Sequence, residues 1–469
     1  MKRVKIIFAG LAALLAVSCA GKRQKVNLSK DDIVGIAREA YIYATPLIYM
    51  DVTRVISPVP DNYLYHSHAF PDHTFRHVVA PNNDTNYSTA FLELGDEPMV
   101  VELPDTKGRY YVFPLLDAWT NNFILPGKRT TGTGAQKYLI AGTRWQGAVP
   151  EGLTLIKSPT DLVWIIGRIQ VNSPEDQQKV VTPLQEQFVL KPLSAWLSGD
   201  DRKAVAEAPK HKLYGNFVPA DIREKSVVRI VQNLSVEDFF NYFNALLTDN
   251  PPAAADSAVI ERIAAIGVGA GKRFSLSAFD RETQEALTRV PSEVYQEFAQ
   301  PLEKGFFGKT THDPAAKTGD FKTDYHLRAL VAYVGLGALP PEEAVYYSYY
   351  TDKEQEPLHG KHKYRIHFEK GQLPPAQAFW SYTVYGKDRY LVDNPIRRYA
   401  IGDRNDLKYN KDGSLDLYLS PEAPEKDKIS NWLPTSHDEF NVTLRIYIPV
   451  AELLKDPSSW HDPLPEKIN

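Results

Sequence analysis

The stretch NVTLRIYIPV, residues Asn441–Val450, decides the fold. Val442, Leu444, Ile446 and Ile448 alternate with Thr443, Arg445 and Tyr447. A period of two puts the apolar set on one face of a strand and the polar set on the other. It predicts an antiparallel sheet with a core side and a solvated side. Tyr364, Ile366 and Phe368 repeat the pattern, as do Trp380, Tyr382 and Val384, then Leu415, Leu417 and Leu419.

Short strands also dominate residues 87–171. Met99–Leu103, Arg109–Leu116, Thr154–Lys157 and Leu162–Val171 are the clearest, and glycines such as Gly108, Gly132 and Gly152 punctuate them. Between the two β regions the reading turns helical. Ser235 with Asp238 can cap a helix carrying Phe239, Phe240 and Phe243, and Ala258–Ile266 and Asp280–Val290 follow. An earlier helix opens at Ser29 with Asp32 as a capping box, and Pro46 is expected to end or kink it. Residues 57–83 read as loop. The predicted fold is α+β and mainly β: two antiparallel β-sandwich, jelly-roll-like domains flanking a helical middle. The expected boundaries are 29–190, 191–345 and 346–456, with a tail over 457–469.

The sole cysteine, Cys19, closes an apolar segment, Val4–Val17, that follows Lys2 and Arg3. Basic start, apolar core, small residues and then cysteine form the layout of a bacterial lipoprotein signal over residues 1–18, with a tether over 19–28. The apolar segment is shorter than the roughly 20 residues a spanning helix needs. The expected location is the cell envelope, lipid-anchored through Cys19, on the outer membrane facing the periplasm, since Ala20 is not an aspartate that would favour inner-membrane retention. A formal net charge of −4 gives no electrostatic footprint for nucleic acid. No motif asks for a cofactor, and oligomer formation is left open.

Several long runs resemble a known pair of families. PNNDTNYSTA (Pro81–Ala90), DTKGRYYVFPLLDAWTNNF (Asp105–Phe123), RTTGTG (Arg129–Gly134) and SPTDLVWIIGRIQV (Ser158–Val171) resemble the bacterial domain of unknown function numbered 1254. GQLPPAQAFWSYTVYG (Gly371–Gly386), NPIRRYAIGD (Asn394–Asp403), DGSLDLYLS (Asp412–Ser420) and NWLP (Asn431–Pro434) resemble the companion domain numbered 1214. The resemblance implies an exported protein built from β-sandwich domains, and no established activity.

Candidate chemistry therefore rests on the residues. Asn83, Asp84, Thr85, Tyr87 and Ser88 crowd the entry to a strand; Asp84 is either a general acid or base or a turn residue. Asp117, Trp119 and Asn121 suit a polyol, or else Asp117 bonds backbone donors at a sheet corner. If Asp84 and Asp117 approach within roughly 5–9.5 Å they form a glycosidase pair. Arg129–Gly134 is an anion cradle or a hairpin turn. Trp380, Tyr382, Arg398, Asn431 and Trp432, with Arg168 in the first half, are candidate ligand contacts; alternatively one arginine of Arg397 and Arg398 supports a loop and the other is solvated. His66, His68, His73 and His77 lie close together without a standard zinc spacing, so no metal is expected. Two readings follow: a hydrolase or lyase acting on a carbohydrate or other small acidic metabolite, and a non-catalytic ligand-binding or envelope assembly protein.

Overall fold

The strand quoted above spans Phe440–Pro449, and all 10 of its residues are buried. The polar face expected to meet solvent meets the other β unit instead: Arg445 reaches the Ala80 carbonyl and Tyr447 packs on Tyr110. The computed structural model describes residues 28–75, 80–199, 211–219, 221, 226–303 and 318–468, with backbone alone for 300–303. The expected signal segment, Cys19, most of the tether and His77 lie outside the described residues.

The first β unit is a sandwich. One sheet holds β1 (Tyr65–His66), β2 (Thr85–Glu93), β4 (Tyr111–Val112), β5 (Leu115–Asp117), β6 (Asn122–Ile124) and β9 (Leu162–Gln170), in the order β1-β2-β9-β5-β6 with β4 also on β9. The other holds β3 (Met99–Leu103), β7 (Gln136–Ala141), β8 (Thr154–Lys157) and β10 (Val189–Pro192), in the order β10-β3-β7-β8. Leu92, Val101, Phe113, Ile140 and Ile165 fill the space between them. The strand expected over Arg109–Leu116 is split into β4 and β5 at Pro114, which has no N–H for the ladder.

The second β unit repeats the architecture with different connections. Strands β11 (Ala344–Tyr349), β12 (Lys363–Phe368), β13 (Ala376–Gly386), β14 (Ala400–Gly402), β15 (Leu415–Ser420), β16 (Trp432–Pro434), β17 (Phe440–Pro449) and β18 (Glu466–Ile468) form two sheets, β11-β17-β13-β14 and β16-β15-β12-β18. Residues expected to be a tail thus supply the edge strand β18, paired with β12. Ile366, Tyr382, Leu417 and Leu444 lie in the core between the sheets.

Helix α1 (Lys30–Ile56) starts at the predicted capping box, Ser29 with Asp32, but runs on through Pro46. The proline forfeits one backbone bond. Burial compensates, because Ala37, Tyr43, Leu47 and Met50 all lie in one core. Short turns α2 (Pro174–Asp176), α3 (Thr182–Gln185) and α4 (Leu193–Leu197) follow the first sheet. Then α5 (Val227–Gln232), α6 (Val236–Leu246), α7 (Ser257–Ile263), α8 (Arg281–Glu303) and α9 (Tyr325–Gly335) pack with α1, while α10 (Ala451–Lys455) belongs to the second unit. Ser235 caps α6 as predicted, and α8 extends past the expected end at Val290 through Pro291. The helical core takes in Phe91, Leu116 and Trp164 from the outer face of the first sheet. That face is therefore shared: one end packs on helices and the other, toward Gln170, on the second β unit. The fold is α+β, mainly β, with two sandwiches.

Candidate functional site at the seam between the β units

The turn before β2 delivers Asp84 into this seam. The Asn82 side chain accepts the Asp84 backbone N–H at 2.6 Å and donates to Thr85 Oγ1 and the Tyr447 hydroxyl. Asp84 is completely buried. Its Oδ1 takes Arg404 Nη2 at 2.5 Å and its Oδ2 takes the Ser381 hydroxyl at 2.7 Å. Arg404 also donates through Nη1 to the carbonyls of Asp84 and Val171, and its guanidinium lies 4.2 Å from the Phe379 ring centroid. One arginine of the second unit thus bolts onto backbone and side chain of the first.

Arg445 stands beside this pair. It donates to Thr383 Oγ1 at 2.8 Å, to the Tyr385 hydroxyl at 2.6 Å and to the Ala80 carbonyl at 3.3 Å. The Tyr385 hydroxyl donates to the Pro81 carbonyl. Further along, Arg168 donates to the Gly337 carbonyl at 2.8 Å and lies 5.6 Å from the Tyr87 ring centroid, while its Nη1 is buried without an acceptor. Glu343 accepts from Tyr110 at 3.0 Å and from Arg129 Nε at 2.6 Å. Two of the four arginines therefore have a carboxylate partner. Arg168 and Arg445 have neutral acceptors alone among the described residues.

The electrostatics follow from burial. Burial works against the charge of Arg445, but the Tyr385 and Tyr447 phenols and the Asp84 carboxylate outweigh it and hold the guanidinium more basic than usual. Arg168 behaves alike, through Tyr87, Tyr346 and Tyr447. Burial pushes the phenols of Tyr110, Tyr346, Tyr385 and Tyr447 above their ordinary range, so they stay protonated. Burial likewise raises Glu343, against the pull of Arg129. The seam holds fixed cations and neutral hydroxyl donors beside two buried carboxyl groups, Asp84 and Glu343.

Beside the seam lies a cleft of about 630 Å³, walled by the Asp105–Arg109 turn, Lys128, Gln170, the α2–α3 segment and Ala378 of β13. A smaller recess of about 320 Å³ lies between His73 and the loops around Asp388 and Asp438.

Each residue singled out from sequence, Cys19 and His77 apart, has a definite place. Asn83 donates to the Pro71 carbonyl, and Thr85 is buried beside Asn82. Tyr87 and Arg168 face each other across paired strands in the seam. Asp117 is elsewhere. It accepts the backbone N–H groups of Trp119 and Asn121 at 2.9 Å each, and burial pushes it up to about 6, opposed by Asn121. Registers separate it from Asp84: Asp117 pairs with Val163 and Asp84 lies opposite Val171. Eight residues of strand span about 26 Å. That distance rules out the carboxylate pair, and the sheet-corner alternative for Asp117 is the observed one.

Trp119 offers no exposed stacking face. Its indole donates to the Pro251 carbonyl, and its ring packs among Tyr43, Phe243 and Arg328. Asn121 bonds Asp117 and accepts the Phe321 N–H. Trp380 and Tyr382 are core residues of the second sandwich. Arg398 donates to the carbonyls of Ile429, Ser430 and Trp432, supporting a loop, while Arg397 is exposed. Asn431 clamps Lys408 and Asp416 backbone groups, and the Trp432 indole bonds the Ser420 carbonyl. Each of these five either bonds backbone groups or lies within a packed core. Arg129–Gly134 is a turn in which the Gly127 carbonyl takes three N–H groups, although Arg129 itself joins the seam. His66, His68 and His73 face Ser88, Glu186 and Tyr399 respectively, and no metal-ligating group of three occurs among the described residues.

Sequence reading passed over Arg404, Arg445, Tyr447, Ser381 and Glu343. The polar positions of the alternating strands carried the signal for three of them, but alternation alone assigns those positions to water.

Two sandwiches locked through a buried polar seam, with a helical unit on the first, define the class. Residues 62–192 match the family described as Protein of unknown function (DUF1254), and residues 343–451 match Protein of unknown function (DUF1214). The first sandwich is the one domain and the second is the other, in the order the motifs imply. No curated protein sequence matches the chain. Among solved structures the chain is similar to the VPA0106 protein from Vibrio parahaemolyticus, at 24% identity and a TM-score of 0.70 over 93% of this chain and 100% of that one. That likeness concerns the fold. An uncharacterised protein from Burkholderia cenocepacia aligns over 94% of each chain at 12% identity, with a TM-score of 0.43.

Proposed function

We propose that this chain is a lipid-anchored protein of the bacterial envelope, held at the outer membrane through Cys19, whose seam acts on a small acidic metabolite, a sugar acid above all. The observation that supports this reading is the pair of buried guanidinium groups, Arg168 and Arg445, whose hydrogen bonds go to neutral acceptors, with Asp84 and Glu343 acting on them only through space. A buried charge without a hydrogen-bonded counter-ion is costly, by roughly several kcal/mol, and an anionic ligand offsets part of that cost. Guanidinium and carboxylate also match in geometry, because two parallel N–H groups meet two oxygens.

The reaction class is hydrolysis or elimination. In hydrolysis, water adds across the glycosidic C–O bond. In elimination, a base from solvent takes the proton next to the carboxylate, the C–O bond at the neighbouring carbon breaks, the leaving oxygen takes up a proton from solvent, and a double bond forms. Elimination builds negative charge on the substrate carboxylate, where Arg168, Arg445 and the protonated phenols supply donors; in hydrolysis the sugar carbon becomes cationic and these donors serve the leaving oxygen alone. Asp84 acts as a positioning residue, since Arg404 and Ser381 occupy its oxygens.

Titration calorimetry with galacturonate as the probe tests the ligand. Binding that falls at least tenfold in Arg168→Met supports the reading; no binding by galacturonate or related sugar acids sinks it. Reducing-end and ultraviolet assays on galacturonate oligomers test the reaction: binding without new ends or new double bonds leaves a binding protein. Cys19→Ala is expected to move the protein from the membrane fraction to the soluble one, and unchanged fractionation overturns the anchor.

A further inference from the structure

The cleft beside the seam has a charge pattern that the seam alone does not explain. Lys107, Arg109, Lys128 and Lys179 line it, against a single lining carboxylate, Asp105. Two of these cations are neutralised. Arg109 makes a two-pronged pair with Asp176 at 2.8 and 2.6 Å, and Lys179 pairs with Glu175 at 2.6 Å. Lys128 Nζ donates to the Gly108 carbonyl, a neutral acceptor. Asp105 spends an oxygen on the Lys107 backbone N–H, which fixes the turn and holds Lys107 in the left-handed conformation at φ 52°. Among the described residues, Lys107 and Lys128 thus carry charge that no neighbouring carboxylate pairs. The α2–α3 segment adds an apolar patch to the lining, Val180, 45% exposed, with Pro183 and Leu184, between Lys179 and Gln187.

Position links the cleft to Arg168. Gln170, which lines the cleft, projects from the same face of β9 as Arg168, two residues along. The two side chains are about 7 Å apart along the strand. Arg109 donates to the Gln170 carbonyl, so the cleft turn is anchored to that strand end. A cation row beside an apolar patch suits a ring with one apolar face and a carboxylate on its edge.

We infer that the cleft is an extension subsite for further acidic residues of an oligomeric ligand, so that the substrate class is a linear chain of sugar acids, with Lys107 and Lys128 as the carboxylate contacts. This rests on the seam taking the first sugar acid. A cleft of about 630 Å³ has room for a drug-sized ligand segment beyond the seam.

The test is calorimetry on the full chain with galacturonic acid and its linear trimer, against wild type and Lys107→Ala/Lys128→Ala. The trimer is expected to bind wild type at least tenfold more tightly than the monomer. The double variant keeps monomer affinity and loses the trimer's advantage, and that advantage also shrinks at high salt because exposed cations are screened. Monomer binding with no gain from length overturns the extension and leaves the seam reading standing. A trimer advantage that survives in the double variant overturns the assignment to this cleft. Failure of both ligands overturns the seam reading and the extension together. Lys107 is exposed and Lys128 half-buried, and a melting temperature equal to wild type checks that the variant is folded.

Discussion

Asp84 shows how one residue type can serve two ends. Its motif suggests an acid or base, yet its two oxygens are taken by Arg404 and Ser381, and no side chain in the seam is more completely enclosed. Asp84→Asn leaves Arg404 facing a neutral amide in a buried site. Breaking such a pair costs about 3–5 kcal/mol, so urea unfolding should show a lowered midpoint with an unchanged slope. A loss under about 1 kcal/mol would mean water already screens the pair. Asp117 gives a pH prediction of the opposite kind. Its carboxyl is raised to about 6 by burial, above the ordinary 3.8. The folded state therefore binds the extra proton between those values, and its contribution is favourable at low pH and lost as pH rises through about 6. Asp117→Asn should flatten the stability profile across that window, as read by denaturation at a series of pH values. Both aspartates were legible as unusual in the sequence. Their roles were not, because register, which places them about 26 Å apart, is a long-range property.

The strands carry most of what could be read in advance. Met99–Leu103 and Thr154–Lys157 occur where the alternation and the turns put them. What failed was the assignment of polar faces to water. Arg445 and Tyr447 of β17 sit against a second sheet, and alternation is silent about whether a polar face meets solvent or another polar face. Proline was also misjudged in both directions. Pro114 broke a strand expected to be whole, while Pro46 and Pro291 failed to end their helices. Packing on a shared core outweighs one missing hydrogen bond. At this scale Gly402 is the sensitive point. A Cβ there would lie 2.0 Å from the Trp380 carbonyl oxygen, which is backbone and cannot swing aside. Gly402→Ala must push β14 off β13, and with it Arg404 two residues on. A loss of about 3 kcal/mol is expected, accompanied by faster proteolysis after Arg404. An unaffected melting temperature would show that the β13–β14 pair tolerates separation.

At the scale of the whole molecule the question is why two sandwiches with separate cores behave as one body. Each has its own apolar interior, and a smaller cluster of Tyr110, Val112, Leu339, Phe379 and Tyr447 joins them. That cluster is small beside either core, so area alone is a weak tie. The polar seam adds bonds that exist only when the units are docked: Arg404 to the carbonyls of Asp84 and Val171, Arg445 to that of Ala80, and Tyr385 to that of Pro81. All of them cross from the second unit to backbone of the first. Backbone acceptors cannot change rotamer, which makes the docking geometry specific. Opening the seam would strand none of these groups in a dry interior, since water replaces the lost partners, so docking is stable only while the full set is made. Calorimetry should therefore show the two β units of the wild type unfolding in one transition. Arg404→Met removes the bridge to both carbonyls and leaves Asp84 buried without its counter-charge. It should split the peak into two, with Asp84→Asn/Arg404→Met recovering part of the loss because the unpaired charge is gone. Two transitions already present in the wild type would mean that the seam orients the units without coupling them, and the splitting in Arg404→Met would then be absent.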